Sequence, residues 1–292
     1  MSGPLTAVST FAELRSLARA SLHAAGIDES AIEADLLLAH AAGVSRSRVL
    51  ASLGEQASED FGVRFESLLG RRRRREPLAY ILGYREFFGR RFVVNPDVLI
   101  PRPESELLVE LALGAARSFG DQLELIDIGS GSGALGLSIL AEAPAQAMLI
   151  ATDTSRRALA VTNVNARALK LRARCNTLRC DLVSALAPSR LPRVLVANLP
   201  YIAESDAPTL QPEVRDHEPP GALYAGEDGL AANKRLLRDL PRIMRPGDRA
   251  YLECGYAQGH ALLDLSGRLA PAARLDLHLD GRGIARALEL MF

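Results

Sequence analysis

From about residue 104 to the C-terminus, short apolar runs alternate with longer amphipathic stretches, and this alternation constrains the fold more than any other feature. Apolar runs such as "LELIDIG", "AMLIATD" and "VLVANLPY" are typical of buried strands. The stretches between them, such as "SRRALAVTNVNARAL", repeat apolar residues at helical spacing. Strand and helix alternation requires right-handed crossovers. We therefore expect an α/β fold with a largely parallel sheet and helices on both faces.

Polar and glycine-rich segments follow several of these predicted strands. They are the glycine-rich turn at 129–133, Asp153, the pair Asp181 and Leu182, and the segment 198–201. In open α/β sheets, ligands bind beyond the carboxyl ends of the strands, near the switch in strand order. We expect these segments to form one binding site.

The turn after the first strand reads "DIGSGSGALG". Glycines allow a tight turn and expose backbone N–H groups to a ligand at the start of a helix. Residues 131–136 also match the dinucleotide fingerprint, and Asp153 lies about twenty residues on, where it can accept from ribose hydroxyls. This motif alone is about equally compatible with NAD and with S-adenosyl-L-methionine as the cofactor. The predicted cofactor loop consists of Gly129, Ser130, Gly131, Ser132 and Gly133.

Two acidic positions favour the sulfonium cofactor. Asp127 precedes the glycines, where a carboxylate can hold an ammonium group or an adjacent backbone group but repels a pyrophosphate. Asp181 and Leu182 end the third strand, where an acid can address an adenine amine and an apolar side chain can cover the ring.

The segment Asn198-Leu199-Pro200-Tyr201 indicates the acceptor group. The Asn198 side-chain oxygen and the Leu199 carbonyl, held extended because Pro200 follows, are two hydrogen-bond acceptors. Two acceptors can hold a planar –NH₂ group and stabilise the positive charge that develops during methyl transfer. Tyr201 can stack on the conjugated plane. These residues are the predicted catalytic and substrate-binding residues, and Asn198 is also a predicted cofactor contact.

The N-terminal part of the chain predicts a small helical bundle over residues 1–76. Capping boxes are expected at Thr10 with Glu13 and at Ser30 with Glu33. The bundle ends in five consecutive arginines, residues 71–75, which we interpret as the solvated end of a helix rather than a patch for RNA or an acidic protein. A β-hairpin linker is predicted over 77–103, followed by the α/β domain over 104–292.

Bulk composition excludes several classes of protein. The chain has 35 Lys plus Arg and 35 Asp plus Glu, so no global charge attracts nucleic acid or an anionic membrane. Apolar runs fall short of a membrane span, and the N-terminus lacks a signal pattern, so we expect a cytoplasmic protein. The three cysteines match neither a disulfide framework nor a metal site, and we expect buried reduced thiols and no metal.

Taken in order, "DIGSGSG", Asp153, "CDLVSAL" and "NLPY" resemble class I methyltransferases that act on planar amino groups, whose signature is (N/D/S)PP(Y/F/W). Three further stretches are similar to the HemK/PrmC family of release factor glutamine methyltransferases. They are "EPLAYILGYREFFGRRFVVNPDVLIPRPESELLVE", "LQPEVRDHEPPGALYAGEDGL" and "LECGYAQG", and the similarity covers most of residues 76–260.

The resemblance implies a Rossmann-like, mostly parallel seven-stranded sheet and methylation of the Gln amide nitrogen in the GGQ motif of peptide chain release factors. It implies S-adenosylmethionine as cofactor, bound at Gly129 to Gly133, Asp153, Leu182 and Asn198. We also expect the enzyme to be a monomer. The chain departs from the signature at Leu199, where Pro is usual, and at Leu182, where relatives can carry an aromatic residue.

Several alternatives stay open at this point. A glutamine methyltransferase of a large-subunit ribosomal protein and an adenine amino-methyltransferase use related signatures. An NAD-binding oxidoreductase would leave "NLPY" without a role. A non-catalytic binding module that keeps the cofactor pocket is a further possibility.

Overall fold

The computed structural model describes residues 9–292. The chain divides into two compact units. Of the described residues, the first comprises 9–83 and Pro212–His217, and the second comprises Tyr84–Gln211 and Glu218–Phe292. The predicted boundaries at residues 76 and 103 stay predictions.

Helices and strands follow the alternation that the sequence predicts. The described helices are α1 (Phe11–Ala24), α2 (Ser30–Ala42), α3 (Arg46–Ala51), α4 (Glu59–Arg73), α5 (Leu78–Leu82), α6 (Glu106–Ser118), α7 (Ala134–Glu142), α8 (Arg156–Ala168), α9 (Pro212–His217), α10 (Ala231–Ile243) and α11 (Gly259–Leu269). The described strands are β1 (Tyr84–Phe87), β2 (Arg90–Val93), β3 (Glu124–Ile128), β4 (Met148–Asp153), β5 (Cys175–Arg179), β6 (Arg193–Ala197), β7 (Arg249–Glu253), β8 (Arg274–Leu279) and β9 (Ala285–Met291). Among residues 9–292, no helix is long and apolar enough to cross a membrane.

The second unit contains a seven-stranded sheet in the order β5-β4-β3-β6-β7-β9-β8. The pairs from β5 to β7 are parallel, and β9 is antiparallel to both β7 and β8. β3 lies at the switch in strand order, because the next strands along the chain, β4 and β5, extend to one side and β6 and β7 to the other. The predicted Rossmann-like fold is confirmed.

Apolar side chains fill both faces of this sheet. One face buries residues of α6 and α7 with alternate positions of β3, including Leu125. The other face buries residues of α10 and α11 against Ile126 and Ile128 of the same strand. Because successive side chains of a strand point to opposite faces, a strand covered on both faces is apolar throughout. This burial explains the continuous apolar runs in the sequence.

The predicted hairpin is present as β1 and β2, which pair antiparallel from Tyr84 opposite Val93 to Phe87 opposite Arg90. Its two-residue turn, Phe88 and Gly89, has positive φ at both positions (48° and 68°), as a type I′ turn requires. The hairpin is shorter than the predicted linker, since residues 78–82 form a helix.

Helix capping in the first unit follows the sequence at one position and departs from it at another. At α1, Thr10 Oγ1 accepts from the Glu13 N–H (3.2 Å) and the Glu13 carboxylate accepts from the Thr10 N–H (2.8 Å), which confirms the capping box. The box at Ser30 and Glu33 is wrong, because α2 begins at Ser30 with no side-chain cap. The Glu33 carboxylate instead accepts from the Arg72 guanidinium at 2.5 and 3.1 Å.

The arginine run is not a solvated helix end throughout. Arg72 is 5% exposed and binds Glu33 and Glu213. Arg75 also binds Glu213, and Arg71 binds Glu76. Burial with paired carboxylates lets a helix end in several arginines without leaving all of them to solvent. The expectation of a solvated end was wrong for Arg72.

The cysteines are free thiols. Cys175 and Cys254 are buried as expected, and burial raises the pKa of their thiols, to about 11 for Cys175 and about 12 for Cys254. Cys180 is only half-buried, which corrects the expectation for that position.

Candidate active site

A cavity of about 550 Å³ lies in the second unit at the carboxyl ends of β3, β4, β5 and β6. Residues that follow each of these four strands line it, as the rule for ligand binding at a switch point predicts. Of the predicted site residues, the lining includes Gly129, Ser130, Gly131, Ser132, Asp153, Asp181, Leu182, Asn198, Leu199 and Pro200. Gly133, Asp127 and Tyr201 are not among the lining residues.

The glycine loop after β3 has a backbone conformation that residues with a side chain rarely adopt. Gly129, Gly131 and Gly133 all have positive φ, at 69°, 54° and 79°. A Cβ at Gly133 would lie 2.9 Å from side-chain atoms of Leu137 and Thr162. At Gly131 a Cβ would meet only the Gly129 carbonyl oxygen, at 4.0 Å. The alternating glycines therefore turn the chain tightly, and Gly131 leaves open space along its backbone.

Asp153, the last residue of β4, joins the glycine loop to the start of α8. Its Oδ2 accepts from the Gly131 N–H at 3.0 Å, and its Oδ1 accepts from the Ser155 N–H at 2.8 Å. The side chain also lines the cavity, where its remaining lone pairs can accept from the hydroxyls of a ribose.

Asp127 has a different environment, although it too lies at the end of a strand. It is 1% exposed, and its Oδ2 accepts from the Gly136 N–H at 2.9 Å. Desolvation raises the pKa of its carboxyl to about 7. Asp127 thus anchors the first turn of α7, and a contact with a cofactor ammonium stays a prediction.

The third segment, Asp181 and Leu182, follows β5. Asp181 forms an ion pair with Arg235 of α10, and both side chains line the cavity. Leu182 adopts a left-handed backbone (φ 49°), and its carbonyl accepts from Thr152 Oγ1 at 3.2 Å. This strained turn is held by its hydrogen bonds, and Leu182 lines the cavity beside Asp181.

Asn198 follows β6 directly, and its amide is bound from one side. Its Nδ2 donates to Ser105 Oγ at 3.1 Å, and Ser105 Oγ donates to Glu253 Oε2 at 2.5 Å. Within residues 9–292, no hydrogen bond to Asn198 Oδ1 is found.

Leu199, Pro200 and Tyr201 contribute in different ways. The Leu199 side chain is 4% exposed and belongs to the core beneath the site, so this residue faces the cavity without a polar side chain. The Tyr201 carbonyl accepts from Gln258 Nε2 at 2.9 Å. A Cβ at Gly255 would lie 2.9 Å from the Tyr201 ring, and burial raises the pKa of the phenol to about 12. Stacking of Tyr201 on a substrate stays a prediction.

Part of the cavity wall was missed by the sequence analysis. Ser105 lies within "PESE", Pro101 was assigned only to the predicted linker 77–103, and the stretch around Pro219 carried no assigned role. Glu253 of "LECG", which binds Ser105, was also missed. The signal was present, because prolines in quick succession stiffen loops that form a binding site. The missed lining residues include Phe87, Val98, Pro101, Ser105, Pro219, Tyr224 and Arg235.

The charge of the lining suits a cationic cofactor better than a pyrophosphate. Asp97, Asp153 and Asp181 line the cavity, and Arg235 is paired with Asp181. Acidic side chains without a free cation stabilise a sulfonium and an ammonium but repel phosphates. With the open backbone at Gly131, the residues present fit S-adenosylmethionine.

Two family models match the chain. The model described as "PrmC N-terminal domain" matches residues 13–83, and "Methyltransferase small domain" matches residues 104–211. A release factor glutamine methyltransferase of Cereibacter sphaeroides is 43% identical over 263 residues, which are 89% of this chain and 91% of that protein. The protein of the same name from Bacillus subtilis is 36% identical over 285 residues, or 96% of this chain and 97% of that protein.

A solved structure extends the likeness to the fold. The catalytic domain of hMettl16 in complex with MAT2A 3′UTR hairpin 6 has a TM-score of 0.54 and 17% identity, over 70% of this chain and 76% of that chain. At this identity the likeness supports the methyltransferase fold alone. The family models and the relatives that match along most of their length agree with the site: this chain belongs to the family of release factor glutamine methyltransferases.

Proposed function

We propose that this protein transfers a methyl group from S-adenosyl-L-methionine to the side-chain amide nitrogen of the GGQ glutamine in peptide chain release factors, giving N(5)-methylglutamine. The observation that carries the proposal is the Asn198 amide at the cavity, with its nitrogen bound by Ser105 and its oxygen available to a ligand. The relatives of the same family name support the choice of substrate.

The chain's own residues supply the cofactor site. The loop 129–133, the Asp153 carboxylate and the Asp181–Leu182 turn would hold S-adenosylmethionine. The N–H groups of Ser130, Gly131 and Gly133 donate within the protein, so the loop contributes mainly open space for a close approach. When bound, this cofactor supplies an electrophilic methyl group on a sulfonium. The acidic lining favours its positive charge, and the apolar wall around Leu182 excludes water from the adenine side.

Substrate binding rests on two acceptors. Asn198 Oδ1 and the Leu199 carbonyl would each accept one N–H of the glutamine –NH₂, which fixes the nitrogen in the cavity. The same acceptors stabilise the positive charge that develops on the nitrogen as it is alkylated. Pro200 favours an extended conformation of Leu199. The second acceptor is the backbone carbonyl of Leu199, so it does not depend on the side chain at this position. Proline at that position is therefore dispensable for the acceptor itself.

The partner that this function requires is a protein, and nucleic acid is not the proposed substrate. Release factors act during translation termination, so we place the reaction in the cytoplasm. We propose that the enzyme acts as a monomer. An oxidoreductase that binds NAD is a poorer fit, because the cavity offers acids where a pyrophosphate needs donors.

The test is incubation of the protein with cofactor carrying a labelled methyl group and with three acceptors: a release factor, a ribosomal protein and DNA. We expect label on the release factor, and none on a release factor whose GGQ glutamine is replaced by alanine. Label on the ribosomal protein or on DNA, together with an unlabelled release factor, would contradict the proposal.

A further inference from the structure

Two buried polar residues of the second unit lie behind the Asn198 amide, and no role in the reaction has been assigned to Glu253 or to its hydrogen bond with Ser105. Ser105 is the last residue of the 3₁₀ helix Pro103–Ser105, and Glu253 is the last residue of β7. Their exposed fractions are 2% and 4%. A carboxyl group buried to this extent is costly unless it is hydrogen-bonded, and Glu253 has its side-chain hydrogen bond from Ser105, which lines the cavity.

The fold places both residues beside Asn198. β6 and β7 are parallel neighbours with Ala197 opposite Leu252, so Asn198 and Glu253 follow at equivalent positions of adjacent strands. Ser105 lies between them, with Asn198 Nδ2 at 3.1 Å and Glu253 Oε2 at 2.5 Å from its Oγ. Three distant parts of the chain therefore form one row of hydrogen bonds.

The row has a defined direction. A hydroxyl has one proton, and an ionised Glu253 can only accept, so the Ser105 hydroxyl donates to it. The Ser105 lone pairs are then left for the Asn198 N–H. An asparagine amide turned by 180° would present its oxygen to the Ser105 lone pairs, which is repulsive. Glu253 thereby fixes the side of Asn198 on which the amide oxygen lies.

We propose that Ser105 and Glu253 are positioning residues for methyl transfer, which hold the Asn198 amide with Oδ1 toward the substrate nitrogen and make that oxygen a stronger acceptor. The second effect follows because hydrogen bonds in a row polarise one another, most strongly when the last acceptor is ionised. This proposal rests on the proposed function, since it assigns a role within the same reaction.

The surroundings of Glu253 allow its charge to change near neutral pH. Desolvation raises the pKa of its carboxyl to about 7. Arg286 of β9 and Arg102 lower this pKa, and Glu104 raises it. Tyr201 and Cys254 are the other titratable groups affected by its charge, and their pKa values lie well above neutral pH. Glu253 is therefore ionised above about pH 7 and neutral below it.

The main experiment compares the wild-type protein with Glu253→Gln and Ser105→Ala, at saturating cofactor and release factor. Gln keeps the shape of Glu253 and an oxygen that can accept from Ser105, but it has no charge. We expect kcat of the wild-type protein to rise with pH through about 7 and the Glu253→Gln profile to be flat. The two should agree at pH 6 and differ several-fold at pH 8.5.

Ser105→Ala removes the hydrogen bonds that connect Asn198 to Glu253. We expect kcat at pH 8.5 to fall about tenfold, because Asn198 loses a hydrogen bond that the Glu253 charge strengthens. KM for the release factor and the Kd of the cofactor should change less than kcat. Since Glu253 acts through Ser105, the double variant should be no slower than Ser105→Ala alone. Tyr251→Phe is the matched control, because it removes a hydrogen bond from β7 to another buried carboxylate, Glu289, away from Asn198.

A second measurement needs no catalysis. The ¹⁵N and ¹H signals of the Asn198 side-chain amide in the free protein, assigned by their loss in Asn198→Ala, should shift with pH with a midpoint near 7. The shift should vanish in Glu253→Gln and in Ser105→Ala, and persist in Tyr251→Phe.

The outcomes separate this proposal from the function on which it rests. Release factor that stays unlabelled by the wild-type protein overturns both. Methylation by the wild-type protein together with parallel pH profiles for wild type and Glu253→Gln overturns only the positioning role. The positioning role is also overturned if the losses in kcat add up in the double variant, or if the Asn198 side-chain signals do not shift with pH.

Discussion

Asp127 and Asp153 show how burial decides what one residue type does. Both lie at the carboxyl ends of neighbouring parallel strands. Asp153 is half-buried at the cavity and binds two backbone N–H groups while it keeps access to a ligand. Asp127 is enclosed, binds one N–H group, and has a pKa near neutrality. The first is suited to recognition, and the second to holding the helix that follows the glycine loop.

Asn198→Ala is expected to lower kcat for release factor methylation by about 10²-fold. The reason is the loss of an acceptor that stabilises charge in the transition state, which costs on the order of 3 kcal/mol. Initial rates at saturating cofactor measure the effect. Asn176→Ala, an exposed asparagine of β5, is the control and should keep the wild-type rate. An unchanged rate for Asn198→Ala would place catalysis elsewhere.

Asp127 predicts a specific pH dependence of stability. Its carboxyl has a pKa of about 7 in the folded protein against an ordinary value of 3.8, so the folded state binds a proton more tightly than the unfolded chain. The stability that this proton contributes is fully present below about pH 4 and is lost as pH rises to about 7.

Asp127→Asn keeps an oxygen for the Gly136 N–H but does not titrate. The free energy of unfolding of this variant relative to the wild-type protein should increase between pH 4 and 7, by at most about 1.4 kcal/mol per pH unit, and level off above pH 7. Urea unfolding from pH 4 to 8 measures this difference. Glu253 is present in both proteins, so its titration contributes equally to both and cancels in the difference. A difference that is independent of pH would contradict the raised pKa.

At the scale of elements, the site is built from strand ends rather than from helices. Four adjacent parallel strands deliver the glycine loop, Asp153, the Asp181–Leu182 turn and Asn198 to one edge of the sheet. The three inner strands β4, β3 and β6 pack against apolar side chains on both faces, and the edge strand β5 is held through its pairing with β4, so the strand ends have little freedom. Rigid strands thus position loops whose own sequences are too polar to form a core.

Gly131→Ala tests the glycine loop. The substitution forces a Cβ at φ 54° and places it in the open space along the loop. We expect a stability loss of about 1 kcal/mol from the backbone and, in addition, a clear rise in the Kd of the cofactor, measured by calorimetry. Gly120→Ala is the matched control, with φ 81° and no atom near the added Cβ. It should lose similar stability and keep cofactor affinity; equal Kd values for both variants would contradict a binding role for this loop.

At the scale of the whole molecule, the chain does not divide into consecutive pieces. Residues 212–217, which form α9, belong to the helical first unit although they lie between two stretches of the second. Their anchor is Glu213, which binds Arg72 at 2.9 Å and Arg75 at 2.6 Å. The segment follows the "NLPY" stretch by about ten residues in the sequence.

Glu213→Gln is expected to destabilise the first unit by about 2 kcal/mol. Arg72 keeps Glu33 but loses its second carboxylate, and Arg75 loses its ion pair with Glu213. Positive charge in the interior is then only partly compensated, which is costly. Hydrogen exchange should show reduced protection in α2 and α4. Glu66→Gln, which removes an exposed pair with Arg73, should change stability by less than about 0.5 kcal/mol. Equal protection in the two variants would contradict a structural role for α9.

The sequence alone determined the class of the fold and the strand ends that line the cavity. Periodicity distinguishes buried strands from amphipathic helices, and parallel strands bring their carboxyl ends together. The glycine loop, Asp153, Asp181 and Asn198 could be predicted because each lies next to a recognisable strand. The hairpin could be predicted because its turn and its aromatic content are local signals.

Only the tertiary structure decided which polar side chains meet across long separations. Glu33 has the spacing of a capping residue but binds Arg72, and Asn198 is oriented by Ser105 and Glu253. Local sequence favours hydrogen bonds between near neighbours. A buried charge or amide instead takes whichever partner the packed core brings within reach, since leaving it unpaired costs more than losing the local bond. That choice is made when the elements pack.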